Sequence, residues 1–554
     1  MTDVDTDVVA QEREDRLARS YLNGRIDRRT LLRRGAAMGA GVASTGLLGS
    51  LLAACGGTSS SDVGSSSGTA ASPASGTKGG TLKAALTGEP DSLDPAKSQI
   101  YTGAQVYDNV FSKLVDIDEK QQFYGVLATK WTQTDPKTWV FELRDGVKFH
   151  NGDAFSADDV KYTFERILDK KTASGYASLY EVIDRITVDS PTKVTFHLKT
   201  PFGPFLANLA NNGEIVNKRS IEAKGSARKP VGTGPFAFVE WVQGDHLTLK
   251  RFDGYFDQGK PSLDGVTFRF ANVDQGRIDA LRSGDLDWVD AVPLQQVAAL
   301  KKDPTFTYVG SAIAGIPDFL TLNTKKPPFD NKALRQAVAL VVDRQEISSV
   351  AYFGTGDAGG EEVPSSSKWF SGTTPYKTAD VEAAKAKMKE AGLSGGLTVT
   401  YLGLPQYPEL LKTGQVVREQ LKKIGITMKI QQVDVSVWFD RFSKGDFQIT
   451  SAYQERTIDP DNFYSLVLKS GGPINTSGYA SKQADDLIDR AARETDEAKR
   501  KALYEQLRQV VWADSPLVFT HYETLNYLMR KQVTGSTITP TLELRLGNVS
   551  MGSS

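Results

Sequence analysis

A single cysteine, Cys55, occurs in a chain of 554 residues, so no internal disulfide can form. Histidine is almost as scarce: His150, His197, His246 and His521 are the four. None belongs to an H-E-x-x-H and no C-x-x-C is present, so neither a zinc hydrolase nor a structural zinc site is supported. The chain also lacks a G-x-S-x-G elbow and a G-x-x-x-x-G-K-[ST] loop, the working parts of common serine hydrolases and P-loop NTPases. GTGPF at Gly232 has glycines but no following lysine and reads as a turn. Asp158 and Asp159 are neighbours on a helix pattern, where adjacent side chains diverge and cannot flank a sugar bond. Net charge is nearly absent, since 66 Lys and Arg stand against 67 Asp and Glu, and this excludes the broad field that would collect nucleic acid or coat an anionic membrane. No enzyme activity, cofactor or metal is expected.

What is present begins with an address. Asp27 to Arg33 read DRRTLLR, which resembles the twin-arginine export signal with Arg28 and Arg29 as the pair. Gly35 to Ala54 carries no charge but is diluted by glycine, alanine and serine. That makes a poor permanent span, although its length is near the roughly 20 residues a membrane helix needs, and a removable signal fits better. Leu52-Ala53-Ala54-Cys55 then resembles a bacterial lipobox. The sulfur of Cys55 is thereby expected to be a lipid attachment point, at the first residue of the mature chain, and two or three acyl chains would hold the protein durably on the outer face of the cytoplasmic membrane. Thr58 to Gly80 is rich in serine and glycine, a flexible spacer unable to bury enough apolar surface to fold.

Beyond the spacer, strand and helix patterns alternate without a repeat, which predicts a mixed α/β architecture. Trp139, Phe141 and Leu143 alternate with Val140, Glu142 and Arg144, and Asp145-Gly146 suggests a turn into a return strand over Val147 to Phe149. Ser156 and Asp159 match a capping box for a helix carrying Val160, Phe164, Ile167 and Leu168. Val194, Phe196 and Leu198 read as another strand. Asp330 is expected to cap a helix through Leu334, Val338 and Val341, and helical patterns recur at Leu487 to Ala491 and Leu503 to Val511.

The order of several segments resembles the family 5 solute-binding proteins of ABC importers, the dipeptide and oligopeptide-binding group, over essentially residues 80 to 550. They are Gly79 to Pro95, Leu127 to Arg166, Pro230 to Trp241, Gly259 to Phe270, Ala280 to Trp288, Pro328 to Arg344 and Ile458 to Ser465. The resemblance implies an α/β, two-lobed periplasmic-binding-protein-like fold (type II, cluster C) with the ligand cleft between lobes. Its divisions are a signal peptide over 1–54, the lipidated cysteine and linker over 55–79, lobe I over 80–315, lobe II over 316–520, and a return to lobe I over 521–554. Crossings are expected near Ile313 to Asp318 and Phe519 to Glu523. The implied function is capture of a peptide-like or other small organic solute by hinge closure, as a monomer, with delivery to the membrane subunits of an ABC permease. A ligand-sensing lipoprotein without a permease and, less favoured, a secreted hydrolase are the alternatives.

Many peptide-binding members resemble W-x-A-D-x-x-D-P, whose first aspartate meets the peptide amino group. Here the stretch is SAYQERTIDPDNFYS, and Arg456 stands at that position. Its planar fork suits a carboxylate or phosphate, so a ligand with an exposed anion is expected; the alternative is that Arg456 pairs with Asp459 or Asp461 and shapes the loop. Tyr453, Trp438 and Tyr101 are candidate walls, each equally compatible with core packing, and Asp459 completes the candidate ligand set. Asp459, Asp461 and Asn462 lack the spacing of an EF-hand, so a turn and helix start is the simpler reading.

Overall fold

The computed structural model describes residues 79–98, 100–223 and 227–552, without the side chains of 311–315. Arg28, Arg29 and Cys55 lie outside the described residues. The chain enters through β1 (Thr81–Leu86), with Leu82, Ala84, Ala85 and Leu86 fully buried, and turns into α1 (Tyr101–Tyr107). A short pair, β2 (Val115–Ile117) and β3 (Phe123–Gly125), leads to a four-stranded antiparallel sheet. Its strands β4 (Ala128–Asp135), β5 (Thr138–Leu143), β6 (Ile183–Ser190) and β7 (Lys193–Leu198) lie in the order β4-β5-β7-β6.

Two helices, α2 (Ala157–Leu168) and α3 (Phe205–Asn212), close the core of this small sheet, where Phe196 meets the rings of Phe141, Phe164 and Phe205 edge-on at 5.5, 5.2 and 5.4 Å. Edge-to-face contact suits the charge distribution of aromatic rings. Ser156 and Asp159 form the capping box that starts α2, and β7 covers Val194, Phe196 and Leu198. The return strand expected at Val147 to Phe149 does not form: both edges of β5 are taken by β4 and β7, and this segment makes only a bridge from Lys148 to Ala154.

The chain then adds β8 (Phe236–Val242), β9 (His246–Arg251), β10 (Gly265–Phe270) and β11 (Trp288–Asp290) beside β1 before running into the long β12 (Phe306–Leu322). Next come α4 (Lys332–Val341), the two-residue β13 (Asp357–Ala358), β14 (Leu397–Gly403), α5 (Pro408–Lys422), β15 (Ile426–Gln432), α6 (Val435–Ser443) and β16 (Ile449–Tyr453). Asn331, one residue beyond the expected Asp330, caps α4 by accepting from the Leu334 amide at 3.3 Å; either residue type can do this, and the helix start selects Asn331. α7 (Lys482–Arg493) buries Ala484, Leu487, Ile488 and Ala491 along one stripe, the spacing of a helix face, and α8 (Glu497–Asp514) follows before β17 (Leu517–Arg530).

One eleven-stranded sheet results, in the order β15-β14-β16-β12-β17-β11-β1-β10-β9-β8, with β13 on β17. In this sheet β14, β15 and β16 lie on the β12 side and β1, β8, β9, β10 and β11 on the β17 side, with β12 and β17 between them. These two strands pair antiparallel from Phe306 opposite Arg530 to Thr321 opposite Leu517, with a register shift between Ser311 and Ile316. β17 meets β11 at its far end and β12 meets β16 at its own, so the chain passes between lobes along two adjacent strands.

Candidate ligand-binding cleft

A cleft opens where these two strands pass between the lobes. Tyr101, the first residue of α1, faces it from the first lobe together with Asp290 and Ala291 at the end of β11; Tyr407, Tyr453 and Glu455 face it from the second. Ile316 and Glu523 to Asn526 supply the floor from β12 and β17, and Leu542 arrives from the carboxyl-terminal tail. Small-molecule sites combine apolar walls with a few fixed polar groups in this way. The Tyr407 and Tyr453 rings stand 6.0 Å apart at 52°. The buried amide oxygen of Asn526 accepts from the Val292 amide at 2.6 Å and so fixes the turn after Asp290. Ala291, Arg456 and Leu542 all have left-handed backbone, at φ of 44°, 56° and 63°. Each such non-glycine residue costs of order 1–3 kcal/mol, so the rim is held by its surroundings and not by local preference.

The cleft is electrically one-sided. Asp290, Glu455 and Glu523 line it, and among the described residues that do so there is no lysine, arginine or histidine. Asp290 accepts from Gln105 Nε2 at 2.9 Å. Burial drives the Tyr101 phenol well above its ordinary range, and Tyr527, Asp290 and Glu455 push it further in the same direction.

Arg456 turns the other way. Its Nη1 donates to the Asn211 carbonyl at 3.1 Å near the end of α3, while Asn211 Nδ2 donates to the Arg456 carbonyl at 3.4 Å. A helix C-terminus is the negative end of its dipole and suits a cation. The charge of Arg456 also acts on Asp108 and Glu214, two carboxylates of the first lobe. Burial raises Glu214, and burial followed by Glu214 raises Asp108 to about 7, against the easing effect of Arg456 and Lys113. Carboxylate oxygens of Asp108, Glu214 and Glu543 lie within 4.8 Å of one another. A metal ion could use that spacing, but Glu543 is paired with Lys113 and with Arg545, and Arg456 stands near the other two. Arg456 is not among the residues that line the cleft; its Nη1 is engaged by the Asn211 carbonyl, and its guanidinium is buried near Asp108 and Glu214.

Asp459 and Trp438 are placed away from the cleft lining. Asp459 receives Arg500 in a bidentate pair at 2.9 and 2.7 Å, both side chains buried, and its Oδ1 also accepts the Asp461 amide at 3.0 Å. Arg456 therefore does not pair with Asp459, and the D-P-D loop is pinned to α8. Trp438 is fully buried on α6, stacked on Phe442 at 4.4 Å, with its Nε1 donating to Thr450 Oγ1 at 3.2 Å. It packs behind β16. Of the five expected contact residues, Tyr101 and Tyr453 share the cleft; Asp290, Tyr407, Glu455, Glu523 and Asn526 join them without a local motif that marks them.

The profile of "Bacterial extracellular solute-binding proteins, family 5 Middle" matches residues 122–475. The chain belongs to this family. Among curated relatives, the glutathione-binding protein GsiB of Pectobacterium atrosepticum is 26% identical over 476 residues, covering 81% of this chain and 90% of the relative. Among solved structures, the AgaA binding protein from Agrobacterium tumefaciens R10 in complex with agropinic acid is 30% identical, with a TM-score of 0.73 and coverage of 86% and 99%. The Bacillus subtilis oligopeptide-binding protein AppA in complex with a nonapeptide is 26% identical, with a TM-score of 0.73 and coverage of 86% and 100%.

In this family 5 protein several bonds join segments that precede β12 to segments that follow it. The Gly203 amide donates to the Ala492 carbonyl at 2.8 Å, Asn462 Nδ2 donates to Asn208 Oδ1 at 3.0 Å, and Gln121 joins the Ser366 carbonyl and the Lys368 amide at 3.1 and 3.0 Å. A Cβ on Gly203 would lie 2.3 Å from the Glu494 carbonyl oxygen and 2.8 Å from Arg500 Cδ.

Proposed function

We propose that this protein is the extracytoplasmic substrate-binding component of an ABC importer, taking a peptide-like or other small organic solute into the cleft and presenting it, chemically unchanged, to the membrane permease. The observation that carries the reading is the cleft itself: its walls come from both lobes and its floor from the strands joining them. Lobe I comprises 80–315 and 521–554, and lobe II 316–520. A solute that touches both stabilises the closed arrangement by no more than its differential affinity for closed over open. The register shift between Ser311 and Ile316 is the place where the backbone absorbs the movement. Tyr101 and Tyr453 act as walls, and Arg456 acts by tying the lobes together when they close.

The likeness to the glutathione-, agropinic-acid- and nonapeptide-binding proteins supports a ligand of that general size and class. Arg28 and Arg29 direct export by the twin-arginine route, Cys55 carries the lipid, and the body works as a monomer outside the cytoplasmic membrane.

A thermal-shift screen of peptides, opines and sugars, paired with small-angle scattering, tests the function. A true ligand raises Tm by mass action and contracts the particle; a ligand that binds without contraction contradicts hinge capture, and turnover of the ligand contradicts the assignment as a binding protein. For the tether, Cys55→Ser is expected to move the protein from the membrane fraction to the soluble one.

A further inference from the structure

We propose that Asp108 and Glu214 share one proton while the lobes are together, and that closure takes this proton up, so that acid favours the closed form. The inference rests on the reading of hinge closure and names a condition that regulates it.

The two carboxylates sit in a buried cluster that is short of one positive charge. Lys113 pairs with Glu543 and stands 3.7 Å from Asp116, and Arg545 pairs with both Glu543 and Asp116. Asp108 and Glu214 remain, with an oxygen of each inside the same 4.8 Å, and the cation left to face them is Arg456. The acids Asp108, Asp116, Glu214 and Glu543 thus outnumber the cations Lys113, Arg456 and Arg545 by one. Both oxygens of Asp108 and Oε1 of Glu214 are buried with no hydrogen-bond partner among the described residues. Two carboxyls so close and so dry do not both ionise. The phenols that face the pair, Tyr107, Tyr176, Tyr180 and Tyr527, are pushed up by burial and stay neutral, so they add no charge.

On the proposed division all of these groups belong to lobe I except Arg456, which follows β16 in lobe II and reaches across to the Asn211 carbonyl at 3.1 Å. Opening withdraws Arg456 and lets water reach the pair. The first change raises the two carboxyls and the second lowers them; burial is the larger influence on each, ahead of Arg456. The open form is therefore the weaker binder of the proton. Its advantage to the closed form is fully present below the open-form value and is lost as pH rises through about 7, where Asp108 titrates with the lobes together.

Small-angle scattering of the ligand-free full chain, titrated from about pH 9 to about pH 5, reads the closing equilibrium, which one proton shifts by up to about tenfold per pH unit. The particle should contract as pH falls, with a midpoint at or below about 7. Asp108→Asn and Glu214→Gln each keep the shape of the neutral side chain without a proton to exchange, and each should lose this step. His246→Gln, which removes a histidine that Asp245 and Glu240 hold above its ordinary value, should keep it. A radius that does not change with pH, expansion on acidification, or a step that survives in both carboxyl variants overturns the inference. If a solute from the thermal-shift screen still contracts the particle, hinge capture stands without the proton; if neither acid nor any solute does, both fall.

Discussion

Gly203 offers the sharpest test of lobe closure. It is absent from the positions with positive φ, so alanine costs nothing in backbone conformation and acts through space alone. The added methyl would stand 2.3 Å from the Glu494 carbonyl oxygen, far inside the roughly 3.5 Å at which non-bonded atoms attract. Neither neighbour can swing aside, since one is backbone and the other, Arg500, is locked to Asp459 at 2.7 and 2.9 Å. The lobes must stand apart or strain. Overpacking of this kind costs about 1–3 kcal/mol, which is about 5–150-fold in the closing equilibrium. On the proposed division, with lobe I over 80–315 and lobe II over 316–520, Gly203 and Glu494 stand on opposite lobes, so that cost falls on the closed form only. Gly203→Ala should therefore weaken ligand binding by this factor in calorimetry, reduce the contraction seen by scattering, and leave the Tm of the ligand-free protein unchanged. An unchanged affinity, or an equal fall in Tm with and without ligand, would refute the argument.

Arg500→Ala leaves Asp459 buried without its partner and should cost about 3–5 kcal/mol of stability, read as a large fall in Tm and in the denaturation midpoint. Trp438→Ala should cost a similar 3–5 kcal/mol through the void behind β16, whereas Tyr453→Ala should abolish most ligand binding with a smaller change in Tm. For Asp108, the folded carboxyl titrates at about 7 against an ordinary 3.8, so the folded state binds the extra proton. Its contribution is present below pH 4 and is lost as pH rises toward 7. Tm measured across that window should fall less with rising pH in Asp108→Asn than in the native protein; identical slopes would contradict the placement. Arg456→Gln should shift the ligand-free population toward open particles in scattering, since the bond to the Asn211 carbonyl and the charge facing Asp108 and Glu214 are both weakened.

The fold was legible where local chemistry and tertiary position agree. Ser156 with Asp159, and the stripe Ala484, Leu487, Ile488, Ala491, announce their helices because caps and faces are written within one turn. The hairpin at Asp145-Gly146 misled because an alternating strand does not say which neighbour it pairs with, and β5 found β4 and β7. The site was legible only in part for a related reason. Tyr101 and Tyr453 could be named as aromatics near telling segments, but so could Trp438, and only the packing of α6 against β16 sends that ring inward. Arg456 stands at a telling position, yet its left-handed backbone and the acids of a distant segment decide where it points. Glu455 and Glu523, 68 positions apart, meet across a gap that no spacing rule reports.

The two passages between the lobes are neighbours in a single ladder, hydrogen-bonded on either side of the shift between Ser311 and Ile316. Neither can flex alone without tearing those bonds, so the jaws rock about one line while twist and sliding meet resistance. Approach along such a fixed track brings the same atoms together on every cycle.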